Sequence, residues 1–374
     1  MSRNKRKRKI NVLHLMLVIL LAVCSVALLA AGVLRAADYL EDRKNGLADE
    51  GVIAVEYGTG SADPLDYIDQ AAAQVRVKDD QKIDTHKLGD QKITFIVSKK
   101  GLFGTSEKEF TRVFTVSDTK APVITAAGTD LARAVNDVLG LQDLVICSDP
   151  VDGELTYSDT LSPGTWTGIS DADMGKAGTY TVQVRAMDSN GNTAEAALNL
   201  RVAGDPSDRN SFYIKVNRAA NTVTVYEKKA DGTAGTPLKA MVCSTGPATP
   251  LGTYNTFNRS AWRSLFGGVY GQYATDITGD ILFHSVPYYS ASKNNLEYLE
   301  YNKLGTAASM GCVRLCVRDA KWIFENCAIG TTVEFYDDAE EPGPLGKPEP
   351  ITIDTASADR GWDPTDPDPQ NPWN

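Results

Sequence analysis

"GTYTVQVRAMDSNGNTAEAALNLRV", residues 178–202, carries the clearest structural pattern in the chain. Tyr180, Val182 and Val184 alternate with polar residues, and Ala196, Leu198 and Leu200 alternate back beyond "DSNGN". Successive side chains of a strand point to opposite faces, so this pattern gives each strand one apolar face. Asn-Gly between two such runs is a strong hairpin signature. The stretch therefore predicts an antiparallel β-hairpin with one buried side. The same pattern recurs upstream in "GVIAVEYG", "AQVRVKD", "QKITFIVSKKG" and "EFTRVFTVSD". Downstream, "FYIKVNRAANTVTVYEKK" reads as a further hairpin turning at Ala-Asn, and "TPLKAMVCSTG" as another strand and turn. The predicted fold class is mainly β.

At the amino terminus, "INVLHLMLVILLAVCSVALLAAGVL", residues 10–34, holds no Asp, Glu, Lys or Arg. Its 25 residues exceed the ~20 needed to cross a bilayer. They are also more than the ~7–15 apolar residues of a cleaved signal peptide. Six basic residues between Arg3 and Lys9 precede the run. Positive charge stays on the cytoplasmic side, so the reading is an uncleaved single-pass anchor with the rest of the chain outside, facing the cell wall. The chain has 374 residues, a net charge of −10 and no extended basic surface beyond that cluster, which argues against a nucleic-acid partner.

The expected organisation is a basic cytoplasmic tail over 1–9, a transmembrane helix over 10–34 and a stalk over 35–50. A small β domain is expected over 51–118, a second β unit over 119–203 and a linker over 204–211. A third domain, 212–338, carries the chemistry, and an acidic, Pro-rich tail over 339–374, poor in apolar residues, is expected to be disordered.

Five cysteines lie outside the span: Cys147, Cys243, Cys312, Cys316 and Cys327. They match no dense disulfide framework, and only His86 and His284 stand outside the membrane, neither at ligand spacing from a cysteine pair. No metal or organic cofactor is expected. In "SMGCVRL", residues 309–315, Gly311 permits close backbone approach beside Cys312, and Arg314 offers positive charge that favours a thiolate. A small buried hydrophobe is the commoner fate of a cysteine. Cys316 falls at the N-cap of a helix read from "VRDAKWIFENC", where helix amides would depress a thiol pKa, so it is a second candidate. His284, ending the apolar strand "ILFHS", is the one histidine in the third domain and the sole candidate base for Cys312.

Two resemblances follow from these residues. "DTKAPVI", "DPVDG" and "GTYTVQVRAMDSNGNT" resemble bacterial immunoglobulin-like modules, which implies a β-sandwich spacer. "STGPATPLGTY", "ILFHS", "SMGCVRL" and "DAKWIFENC", in that order, resemble the catalytic domain of L,D-transpeptidases (YkuD-like), the cysteine enzymes that cross-link peptidoglycan stem peptides. That resemblance implies a β-rich fold with a cleft under a lid, Cys312 as nucleophile and His284 as base. It also implies that the Ser285 backbone carbonyl orients the imidazole, that Gly311 and Arg314 shape the site, and that carbapenems acylate Cys312. Ser309, Met310 and Tyr273 are expected to touch substrate, with Tyr270 or Tyr273 over the cleft from a lid in "SLFGGVYGQYATDITGD". Two departures stand out. Met310 occupies a position where many members have a second histidine, and "PYYSASKNNLEYLEYNKLGTAA" lengthens the gap between His284 and Ser309 into an excursion expected to wall the site. The alternatives are an L,D-carboxypeptidase or other wall hydrolase using the same thiol, or a non-catalytic wall-binding surface protein.

Overall fold

A computed structural model describes residues 12–44, 51–68, 74–101, 104–128, 131–138, 140–158, 162, 164–170 and 174–374. The first helix, α1 (Val12–Lys44), contains Leu15–Ala37, a stretch long and apolar enough to cross a membrane. From Leu15 to Leu34 its leucines and valines are exposed. The basic cluster and residues 45–50 of the expected stalk lie outside the described residues.

Two compact units follow from the packing, one formed by residues up to 121 with 149–153, the other by 122–148 with 154–374. In the first, strands Ile53–Glu56, Gly104–Ser117, Gly89–Gly101 and Gln74–Val77 lie side by side in that order in one sheet. Phe95, Phe114, Ile83 and Val116 are its buried centre.

In the second unit, the hairpin predicted from residues 178–202 forms with the register its alternation requires. Tyr180 pairs with Leu200, Val182 with Leu198 and Val184 with Ala196. Val182, Val184 and Leu200 are buried. This hairpin is the middle of a five-stranded sheet, and Val123–Ala126 pairs with Val145–Asp149 in a second sheet.

The remainder of this unit holds two more sheets. One has five strands, ordered Ala234–Val242, Thr222–Lys228, Phe212–Asn217, Thr332–Tyr336 and Gly252–Asn255. The other has four strands in chain order: β1 (Asn258–Ser264), β2 (Tyr270–Thr278), β3 (Ile281–Ser285) and β4 (Val313–Leu315). Helix α2 (Val317–Asn326) follows β4 directly.

One buried cluster runs through both the strands before residue 204 and the segment after residue 211, from Leu131, Val145 and Leu200 to Ile214, Leu238 and Trp322. Polar contacts reinforce it. The Trp322 indole donates to the Val135 carbonyl at 3.0 Å, and Arg201 holds Glu227 through two bonds of 2.7 and 3.0 Å. The expected linker is a set of tight turns between packed segments, closed by the Asp205 amide donating to Ser211 Oγ.

The tail overturns its expectation. Residues 339–374 lie against the sheets and bury Ile353, Asp363, Asp366 and Asn371. Composition alone argued for disorder, because few of these residues are apolar. What holds the segment is hydrogen bonding. Asp354, Asp363, Asp366, Asp368 and Asn371 each accept from the backbone amide two residues on, a run of Asx turns.

Candidate active site

Beta strands β3 and β4 run parallel, with Phe283 opposite Val313 and His284 opposite Arg314. Alternation along each strand then sends Leu282 and His284, and Cys312 and Arg314, toward the same face. These four residues line one cleft of about 510 Å³, closed on other sides by Ala248, Phe266, Pro287 and Met310.

His284 is buried, and its Nδ1 lies 2.6 Å from the Ser285 carbonyl oxygen. A carbonyl only accepts, so Nδ1 carries the proton and Nε2 is left as the basic nitrogen. Burial pushes the imidazole pKa down to about 4, against the Ser285 bond, which raises it. The Ser285 hydroxyl accepts from the Gln272 amide at 2.9 Å and donates to the Val286 carbonyl, which fixes the peptide that holds the ring. Gly271 makes room for it, since a Cβ there would stand 2.8 Å from Nδ1.

Cys312 is half-buried, and its thiol donates to the Asp280 carbonyl at 3.3 Å. Burial raises its pKa, opposed by the Leu282 backbone N–H and by Arg314. Resting thiol and imidazole are therefore both neutral near pH 7. Gly311 is packed tightly, with Ile281 and Ala248 where a Cβ would stand. It lacks a positive φ, so its use here is space and not an unusual backbone angle. Its carbonyl accepts from Thr249 Oγ1 at 2.6 Å, and the Gly246 amide donates to the same hydroxyl at 2.9 Å. The first motif is thereby pinned to the cysteine loop.

Arg314 is not the free cation that the sequence led one to expect. It pairs with Glu300 at 2.7 Å and donates to the Ala308 carbonyl at 3.1 Å. Glu300 sits on the single helical turn Tyr298–Tyr301 within the long excursion, so that insertion braces the site through a buttressed arginine. No sequence pattern linked Glu300 to Arg314, because the pair forms only when the excursion folds back.

Three other expectations change. Tyr273 lies outside the cleft lining and packs edge-on against Phe324 at 5.5 Å. The hairpin tip between β1 and β2 covers the cleft instead with Leu265, Phe266 and Val269, and Phe266 is 84% exposed. Ser309 lines the cleft, but its hydroxyl is spent on the Cys312 carbonyl at 2.6 Å. Cys316 is buried at the N-cap of α2, and its thiol donates to Asp319 at 3.3 Å. Burial first, and then Asp319, drive its pKa well above the ordinary value, so it is no reactive thiol. Met310 does reach the cleft and is exposed.

The end of α2 next to Cys316 is capped by the tail. Asp363 accepts from the Val317 amide at 2.8 Å, and Thr365 Oγ1 from the Arg318 amide at 3.1 Å. At the far end, Arg259 donates to the carbonyls of Phe324 and Cys327.

Residues 211–335 match the model of YkuD, the L,D-transpeptidase catalytic domain. A Bacillus subtilis (strain 168) protein named "Putative L,D-transpeptidase YciB" is 38% identical over 124 residues, and the match covers 30% of this chain and 62% of that protein. Among solved structures, an L,D-transpeptidase from Stackebrandtia nassauensis is 20% identical with a TM-score of 0.27, covering 36% of this chain and 59% of that one. L,D-transpeptidase 1 of Mycobacterium tuberculosis is 18% identical with a TM-score of 0.25, covering 42% and 70%. Neither structural likeness reaches a TM-score of 0.5, and the domain assignment rests on the family model and the Bacillus relative.

Proposed function

We propose that residues 211–335, an L,D-transpeptidase catalytic domain, make this chain a membrane-anchored enzyme that cross-links peptidoglycan stem peptides through a Cys312 thioester. The observation that carries this reading is the shared cleft of Cys312 and His284, with Nδ1 bound to the Ser285 carbonyl and Nε2 free to take a proton.

In the first half-reaction, Nε2 takes the thiol proton as sulfur bonds to the carbonyl carbon of the third residue of a donor tetrapeptide. The bond from that carbon to the terminal D-alanine nitrogen breaks, and the imidazolium returns the proton to the leaving amine. In the second, an acceptor amine attacks the thioester and gives a proton to Nε2. The carbon–sulfur bond breaks, and the sulfur recovers its proton. Starting from a neutral pair suits this sequence, because the proton moves only as the new bond forms. The residues supply nucleophile, base and orientation without calling on a cofactor.

The amino-terminal helix supports placement in the cell membrane, and the basic residues before it support a catalytic domain on the wall side. The rival is the carboxypeptidase, since a cleft of about 510 Å³ has room for water in place of the amine. Incubating the full chain in detergent with purified muropeptides separates the two by mass spectrometry. Cross-linked dimers that vanish with Cys312→Ala are expected. Tripeptides without dimers would establish hydrolysis instead, and unchanged muropeptides would defeat both.

A further inference from the structure

The cleft presents two guanidinium groups with different commitments. Arg314 is bound to Glu300 and to the Ala308 carbonyl, and its side chain is 16% exposed. Arg263, on β1 just before the hairpin tip, lines the same cleft with its side chain 39% exposed. Among the described residues its one ion-pair partner is Asp276, 3.5 Å away. Asp276 is buried and already accepts from the Asn258 side-chain amide at 2.9 Å. Arg263 is thus anchored from behind by a long contact, and it has donors to spare toward the opening.

The surroundings fix what those donors suit. Among the described residues the one acid lining the cleft is Asp280, exposed in the turn between β2 and β3, where its carbonyl accepts from the Cys312 thiol. Leu265, Phe266 and Val269 supply an apolar roof beside Arg263. A planar guanidinium next to apolar side chains, held by one carboxylate at 3.5 Å and still 39% exposed, keeps N–H donors for a planar anion bound through two parallel hydrogen bonds. A donor stem carries such an anion where its leaving residue ends.

We propose that Arg263 receives the terminal carboxylate of the donor's leaving residue and makes the enzyme selective for peptides with a free carboxyl end. This rests on the transpeptidase reading above. It assigns Arg314, the arginine beside the cysteine, to holding the site, and Arg263, which no motif marks, to holding the substrate.

The test compares a tetrapeptide stem ending in free D-alanine with its C-terminal amide. For the full chain in detergent, Arg263→Gln should raise KM for the free acid by roughly tenfold or more, the scale of one lost charge-assisted hydrogen bond. Its kcat should stay within about threefold, and its KM for the amide should match wild type. Arg263→Lys should recover part of the loss. Alkylation of Cys312 by iodoacetamide should proceed at the wild-type rate in every variant, because that reagent needs no carboxylate. A loss of equal size on acid and amide would make Arg263 merely structural and overturn the proposal, as would an unchanged preference in Arg263→Gln. Equilibrium binding of the two peptides to Cys312→Ala, with and without Arg263→Gln, separates this inference from the one beneath it. Preferential binding of the acid that disappears with Arg263→Gln upholds the assignment even if wild type turns over neither peptide. No preference in the Cys312→Ala background overturns it.

Discussion

At the level of single residues, the site depends on where one proton sits. His284 is held neutral with a pKa of about 4, and burial raises that of the Cys312 thiol. A base with a depressed pKa stays competent as pH falls until the pH reaches that value. The acid limb of kcat/KM for a stem donor should therefore lie near pH 4, and not near the ~6.5 of a free imidazole. A measured limb above pH 6 would contradict the neutral pair. Replacing His284 by Gln should slow acylation by about a hundred- to ten-thousand-fold with little change in folding. Gly271→Ala should do comparable damage by pushing the ring aside, because its Cβ would sit 2.8 Å from Nδ1. Stopped-flow acylation rates check both. A glycine-flanked cysteine and a lone strand-end histidine are rare enough for the sequence to single out Cys312 and His284, and the fold brings both to one cleft. The sequence did not announce Glu300, Asp280 or Phe266. Their roles come from a folded excursion, a backbone carbonyl and a hairpin tip, none of which leaves a residue-type signature. Tyr273 was misplaced because an aromatic on a strand beside the cleft can face either side, and only the pairing of β2 decides.

Among the elements, helix α2 matters most, since it begins one residue after β4. Its N-cap is Cys316, which provides no side-chain cap, and Asp363 and Thr365 of the tail serve instead. Asp363→Ala should lower stability by the usual ~0.5–2 kcal/mol of a lost cap. Burial lifts the Asp363 pKa to about 6, against bonds from Thr365 and Val317 that lower it. A carboxyl whose folded pKa is raised favours the folded state when protonated. Its contribution is complete below the unfolded value of ~3.9 and is lost as pH rises through about 6. Urea midpoints of wild type should thus fall relative to Asp363→Asn between pH 4 and 7, and parallel curves would refute this coupling. The strands were legible from period-two alternation. The tail was not, because successive Asx turns look like the acidic, proline-rich composition of a disordered segment until Asp363 is seen at a helix end.

For the molecule as a whole, the sheets before residue 204 in the second unit and those after residue 211 form one packed body, joined at Trp322 and at Lys239. Lys239 is buried with Asp137 at 2.5 Å and Asp319 at 3.6 Å. Burial disfavours its charge, but Asp319 and Asp137 outweigh that and hold its pKa above the ordinary value. Trp322→Ala should cost about 3–5 kcal/mol and loosen both segments together, read as one shifted transition in hydrogen exchange of residues 178–202 and 212–217. Separate transitions would mean that the shared cluster does not couple them. Sequence alternation marks the strands but not the core that they share, since the same apolar face can meet its own sheet or a neighbour's. The proposed function rests on one sulfur. Intact-mass spectrometry of the full chain after exposure to a carbapenem tests it most directly. One adduct is predicted, mapped to Cys312, absent from Cys312→Ala and formed far more slowly in His284→Gln. A wild-type protein that stays unlabelled, or an adduct that survives Cys312→Ala, would contradict the account.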